Sequence, residues 1–282
     1  MVAPISVEER DLANQHLDRS ISFAMCGKID QAITEAKKAV EIDPDFSQAY
    51  NKLGDYYLKK GQVNEAIDVY RKSIVLNPDN ENSHFDLGRS LAMVGKYDEA
   101  LESLNKALDL NPDHGETYCH TGLVYLELGD PQRAITNLET ALQHDRENVM
   151  ANYLLAIATQ KVGKENEAYT IFKSVIDRYT NLTKVKGNFA EGYYYIGKSH
   201  FYMGDLNKAL ENLKKAVEYD TEAVDYHYSF GMLYSDADAF FALAEVLYAL
   251  DDTSEAIINL KNALNLDPQN KKYQELKSKL GL

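Results

Sequence analysis

The sequence predicts an all-α chain, a right-handed superhelical solenoid of antiparallel helix pairs, and three sets of recurring residues point to it. Alanines return at Ala32, Ala66, Ala100, Ala134 and Ala168, each 34 residues after the last, then at Ala209 and Ala256 after 41 and 47. Glycines return at Gly27, Gly61, Gly95, Gly129 and Gly163 with the same spacing of 34, then at Gly204 after 41. Prolines stand at Pro44, Pro78, Pro112 and Pro268, and the last interval, 156, is four periods plus 20, matching the 7 and 13 extra residues in the other series. A fixed period of this length marks a repeat array, each unit too small to bury its apolar face alone.

The elements follow in chain order. Ser6-Val7-Glu8-Glu9 reads as a capping box, with serine at a helix N-terminus and glutamate three residues on. The first helix therefore starts near Val7. The unit 47–80 shows the internal plan. Tyr50, Leu53 and Tyr57 form a helical stripe with Gly54 beside it, and Gly61 ends that helix in a left-handed turn. Asn64 to Leu76 is a second helix with Ala66, Ile67, Tyr70, Ile74 and Leu76 on one side, and Asn77-Pro78-Asp79 stops it. Gly54 and Ala66 are small where the two helices come close.

These positions resemble the tetratricopeptide repeat. Its signature is matched by Tyr50, Leu53, Gly54, Tyr57, Gly61, Ala66, Tyr70, Ser73 and Pro78, and again by His84, Leu87, Gly88, Leu91, Gly95, Ala100, Leu104, Ala107 and Pro112. Units are expected at 13–46, 47–80, 81–114, 115–148, 149–182, 190–223 and 237–270. Arg19-Ser20 departs from the Leu-Gly pair in the first unit, and Asp251 replaces the turn glycine in the last. Lys271 to Leu282 reads as a polar capping helix over the end of the array, 271–282.

Two insertions interrupt the register. The segment 183–189 reads as a longer helix and loop. The segment 224–236 begins where another unit would begin, with Phe230-Gly231 and Tyr234 on the Leu-Gly and Tyr positions, so it reads as a first helix lacking a partner. Such a helix either reverses the stacking or merges with its successor, and the stack is expected to change pitch there.

Composition narrows the function. Hydrophobic residues make up 45% and charged residues 26%, ordinary for a folded soluble chain. No stretch approaches a membrane span and the N-terminus carries no signal-peptide pattern, so a cytoplasmic protein is expected. Cys26 and Cys119 form no spacing motif, which suits a reducing compartment. The net charge is −14, and residues 1–148 hold 15 basic and 26 acidic side chains. An acidic chain without a basic stripe makes nucleic acid a poor ligand. Glu116 and His120 lie four apart beside Cys119, but two ligands and one weak neighbour do not make a metal site. Phosphate loops and nucleophile motifs are missing, so no cofactor and no enzyme activity are expected.

What remains is the groove that first helices line in this repeat family. The residues expected there are Asn51, Lys52 and Asp55; Phe85, Asn82, Asp86 and Arg89; Cys119, His120 and Leu123; Tyr153 and Ile157; Tyr194, Tyr195, Lys198, Phe201 and Tyr202; and Phe241. Some members of the family this chain resembles grip a C-terminal carboxylate with a set of lysines, asparagines and an arginine, and no three consecutive units here carry it. Residues 189–248 hold 14 of the 29 aromatics, so apolar anchoring of a partner is expected across the fifth to seventh units and polar contacts toward the second and third. The expected function is a non-catalytic interaction scaffold or adaptor for a protein or peptide. The alternative is a self-assembling structural protein, a homo-oligomer built through its repeats.

Overall fold

The structure, a computed structural model, describes residues 5–187, 189–219, 227–229 and 232–282. It resolves into two compact units, one ending at Asp130 and the other starting at Pro131. The first holds α1 (Val7–Met25), α2 (Ile29–Ile42), α3 (Ser47–Lys59), α4 (Val63–Leu76), α5 (Glu81–Met93), α6 (Tyr97–Leu110) and α7 (Gly115–Glu127). The second holds α8 (Pro131–His144), α9 (Val149–Lys161), α10 (Glu165–Lys186), α11 (Ala190–Tyr202), α12 (Leu206–Tyr219), α13 (Asp236–Ala249), α14 (Thr253–Leu266) and α15 (Lys271–Lys279). Within each unit successive helices pack on one another, α1 on α2, α3 on α4 and α5 on α6, and likewise α9 on α10, α11 on α12 and α13 on α14.

The periodic small residues are where that packing is tightest. Ala32, Ala66, Ala100, Ala134, Ala168, Ala209 and Ala256 are all buried. A Cβ on Gly54 would lie 2.5 Å from the Tyr70 ring, so α3 and α4 could not keep their separation with any other residue there. The turn between them runs through Gly61 at φ +70°, and five further turn glycines share that left-handed geometry. Asp251 takes the same conformation at φ 63° in the turn between α13 and α14, where a side chain makes it costly.

The ends are closed locally. Glu9 N–H donates to Ser6 Oγ at 3.1 Å and Ser6 N–H donates to Glu9 Oε2 at 2.8 Å, which completes the capping box at α1. At the other end α15 buries Tyr273 and Leu276 and exposes Lys271, Lys272 and Lys279. Tyr273 stacks on Phe241 at 4.5 Å and donates to Asp238 at 2.8 Å.

The first insertion extends α10 to Lys186, and Gly187 stops it at φ +70°. Thr183, on the added turn, packs against Gly192 of α11. The second insertion departs from the sequence reading. No orphan helix lies between α12 and α13 among the described residues. β1 (His227–Ser229) and β2 (Met232–Tyr234) pair instead as an antiparallel ladder, with His227 opposite Tyr234 and Ser229 opposite Met232. The reason is physical: a helix of this length is marginal unless a second helix covers its apolar stripe. Tyrosine and leucine, as at Tyr228, Leu233 and Tyr234, suit paired strands as well. Val224, Asp225 and Tyr226, and Phe230-Gly231 of the Leu-Gly match, lie outside the described residues.

Candidate functional site

An open cleft of about 740 Å³ lies on the first unit. α3 supplies Gln48, Asn51, Lys52 and Asp55 to its wall, α5 supplies Asn82 and Asp86, and α1 adds Arg10. These side chains point there because the packed stripe of α3, with Leu53 and Tyr57 buried, occupies the other side of the helix. Asp45 stands on the rim, in the loop before α3.

Most of the charge in the cleft is already paired. Arg10 Nε lies 2.7 Å from the buried Asp43, and Lys52 donates to Asp55 at 2.9 Å. The Tyr70 hydroxyl donates to the other Asp55 oxygen at 2.9 Å. Arg89 Nη2 donates to Asp86 at 2.9 Å, and the Asn51 amide donates to Ser83 at 3.2 Å. Burial pushes the Asp86 carboxyl up to about 7; Arg89 pulls it down, nearby Asp55 pushes it further up, and Asn51 and Lys52 join Arg89 in lowering it. Phe85 meets the rings of His114 and His120 edge-on, with centroids at 4.9 and 5.3 Å, and the Arg89 guanidinium lies 5.3 Å from its centre.

The corresponding face of the second unit is built from rings. Tyr153 of α9 and Tyr195 of α11 meet at 5.1 Å, Tyr195 stacks on Tyr179 of α10 at 5.2 Å, and Tyr202 stacks on Phe172 at 5.5 Å. Tyr194 and Phe201 join the edge of this cluster at 5.0 and 6.0 Å. Burial holds the hydroxyls of Tyr153, Tyr194 and Tyr195 well above the usual phenol range. Lys198 lies 5.6 Å from both the Phe201 and Tyr202 rings and donates to Glu245 of α13 at 2.9 Å. Burial alone would lower the Lys198 ammonium, but the charge and hydrogen bond of Glu245 together with Tyr202 outweigh it and the net shift is upward.

Tetratricopeptide repeat models match residues 79–147, 125–186, 190–223 and 237–270, and a TPR repeat model matches 22–61 and 54–95. The chain belongs to the tetratricopeptide repeat family. No curated protein matches it. Among solved structures it is similar to a tetratricopeptide repeat protein from Parabacteroides merdae ATCC 43184, at 19% identity over 96% of this chain and 100% of that one, with a TM-score of 0.68. It is similar to MamA at 27% identity, over 58% of this chain and 96% of that one, with a TM-score of 0.54. The APC/C assembly Cut9-Hcn1 shares 18% identity over 93% of this chain and 48% of that one, with a TM-score of 0.63. At such identities the first and third likenesses establish the fold alone.

The tetratricopeptide register brings Asn51, Lys52, Asp55, Asn82 and Asp86 together on one cleft. It does not leave every expected groove residue accessible. Asn51, Phe85, Arg89, Cys119 and His120 in the first unit, and Tyr153, Ile157 and Tyr195 in the second, are buried, and Asn51 reaches the cleft with only a small part of its surface. Their side chains are large enough, or packed closely enough, to close over one another. Burial also pushes the Cys119 thiol up, which removes it as a nucleophile or ready metal ligand. Leu123, Tyr194, Phe201, Tyr202 and Phe241 are half-buried. Arg10 and Asp45 escaped the sequence reading because they lie outside the first-helix positions of any tetratricopeptide unit. Phe172 and Tyr179 escaped it because they lie on a second helix, outside the groove positions of a tetratricopeptide unit. Among the described residues no helix is long and apolar enough to cross a membrane, and no three His, Cys, Asp or Glu side chains come together as a metal site.

Proposed function

We propose that this chain is a non-catalytic interaction module that holds a segment of a partner polypeptide. The observation that carries this reading is the open cleft on α3 and α5, about 740 Å³ and lined by amides and carboxylates. Its charged groups are tied to one another, as Arg10 to Asp43 and Lys52 to Asp55, rather than poised around a nucleophile. Membership of a family built from stacked helix pairs supports the same role, since such arrays present extended binding surfaces. The half-buried Tyr194, Phe201 and Tyr202 of the second unit add apolar contact area with polar tips, the composition favoured at binding hot spots.

Site-directed photo-crosslinking tests the reading. A crosslinking amino acid at Asn82, at Phe201, or at the outward-facing Ile258 as control is placed in the full chain in cells. Covalent adducts to another polypeptide from Asn82 or Phe201, and not from Ile258, are expected. Adducts to a second copy of this chain would assign self-assembly instead. Equal labelling from all three positions would overturn a defined binding face.

A further inference from the structure

We propose that β2 is a self-association edge: two copies of this chain pair β2 against β2, antiparallel about Leu233, and join their strand pairs into one four-stranded sheet. The cleft on α3 and α5 takes no part, so this inference stands or falls apart from the interaction reading above.

The first ground is that the segment carrying the strands is surplus to the stack. Five other joints that follow a second helix take four residues each, as Asn77 to Asn80 does between α4 and α5. Sixteen residues, 220–235, separate α12 from α13. Yet α12 and α13 pack directly. Ala216 and Ala239 are buried together with Tyr193, Tyr194 and Val217 against them, and Leu213 is buried with Ala242, Leu243 and Val246. Ser235 caps α13, its hydroxyl oxygen accepting from Asp238 N–H at 3.2 Å. Helix on helix closes the array at this joint, which leaves the strands for another use.

The second ground is the edge itself. β1 and β2 form a sheet of two strands, so the outer side of each presents backbone N–H and C=O groups that their ladder does not use. One pair of three-residue strands is marginal in water, and a third strand or a covering helix is needed to make it stable. Among the described residues no third strand joins the sheet. Of the two edges, β2 has the fixed place, because Tyr234 runs straight into the Ser235 cap of α13.

The sequence names the occupant. Residues 226–235 read Tyr-His-Tyr-Ser-Phe-Gly-Met-Leu-Tyr-Ser and hold no Asp, Glu, Lys, Arg or Pro. Charge and proline are what keep exposed edges from pairing with their own kind, and an uncharged β-prone run without them pairs with itself. The chain as a whole carries −14, so two copies repel at a distance and meet most readily where neither brings a charge. A cationic partner drawn in by the same field finds no carboxylate in this run. A second copy brings an identical edge, and a two-fold axis sets the two edges antiparallel with Leu233 opposite Leu233.

Analytical ultracentrifugation of the full chain over a concentration series tests the proposal. A monomer–dimer equilibrium is expected, tightening by about threefold or more as salt screens the acidic chains. Leu233→Lys places a charge on the edge and should weaken the dimer by about tenfold or more, as should a short glycine-serine linker in place of 224–234. Ile258→Lys, at an exposed site on α14, should change it by no more than about twofold. Circular dichroism checks that each variant keeps its helix content. Two further measurements leave the edge uncharged. Cys26 is the exposed cysteine, so in a Cys26→Ser background Leu233→Cys should give a disulfide-linked dimer on mild oxidation, since antiparallel partners lie about 5 Å apart at Cα. Ile258→Cys should not. Hydrogen exchange on the unaltered chain should show the 232–234 amides better protected at high concentration than at low. A single chain at every concentration, a dimer that Leu233→Lys leaves intact, or equal crosslinking through both introduced cysteines overturns the proposal. A dimer that weakens as salt rises would mean association through opposite charges elsewhere, and overturns it as well.

Discussion

In the first unit the fifth and ninth positions of the unit 47–80 carry Asn51 and Asp55; in the second unit the same positions of 149–182 carry Tyr153 and Ile157. The small polar pair leaves a cleft open and spends its hydrogen bonds on neighbours, Asn51 on Ser83 and Asp55 on Lys52 and Tyr70. The large apolar pair is covered by Tyr195 and the rings around it. One helical register thus serves recognition where its residues are short and core building where they are bulky. An aromatic-rich stretch of sequence is therefore not an aromatic-rich surface. Only Tyr194, Phe201, Tyr202 and Phe241 keep part of their area accessible among the ring positions expected to face a partner.

The contrast is broken most directly at Tyr195. It is 1% exposed and touches Tyr153, Tyr179 and Tyr194, so Tyr195→Ala should lower stability by about 3–5 kcal/mol. Asn51→Ala, the polar counterpart, should lower it by only about 1 kcal/mol, the net worth of a typical hydrogen bond. Urea unfolding of both variants gives the comparison. Similar losses would mean that the ring cluster is surface after all.

A second test uses pH. Asp86 is raised to about 7 in the folded chain. An unfolded aspartate titrates near 3.9, so the folded chain holds the proton across that window. The stability of the wild type relative to Asp86→Asn should be greatest below about pH 4 and fall as pH rises through about 7, by on the order of 2–4 kcal/mol. Denaturation midpoints at steps between those limits measure it, and a difference that does not vary with pH would put Asp86 in water.

Phe201 tests whether the second unit retains a binding edge. Once a partner is in hand, Phe201→Ala should weaken its binding by about 1–3 kcal/mol if the ring is an anchor, with helix content unchanged by circular dichroism. Unchanged affinity in the folded variant would leave the ring to packing alone. The smallest effect concerns the turns. Gly61 fills a left-handed position that Asp251 fills at φ 63°. Asp251→Gly should stabilise the second unit by about 0.5–1 kcal/mol, read as a raised melting temperature. A loss instead would show that the Asp251 side chain contributes more than its strained backbone costs.

The 34-residue recurrence of alanine and glycine by itself determined the helix pairs, their turns and the close crossings, because these depend on residues near one another in the chain. Gly54 against Tyr70 and Gly61 at positive φ are local demands that any unit of this kind must meet in its own sequence. The capping box at Ser6 and the polar last helix were legible for the same reason. Accessibility was not, because it depends on the volume presented by the next helix. Tyr195 is buried by Tyr179 from a second helix and Tyr153 from the preceding unit, and neither is marked as a neighbour by spacing along the chain. The Lys198–Glu245 pair, 47 residues apart, and the protonation of Asp86 were likewise set by what tertiary packing brought against them. The paired strands 227–229 and 232–234 belong with these: their residues carry a helical register, and only the supply of a covering partner decides whether a register becomes a helix.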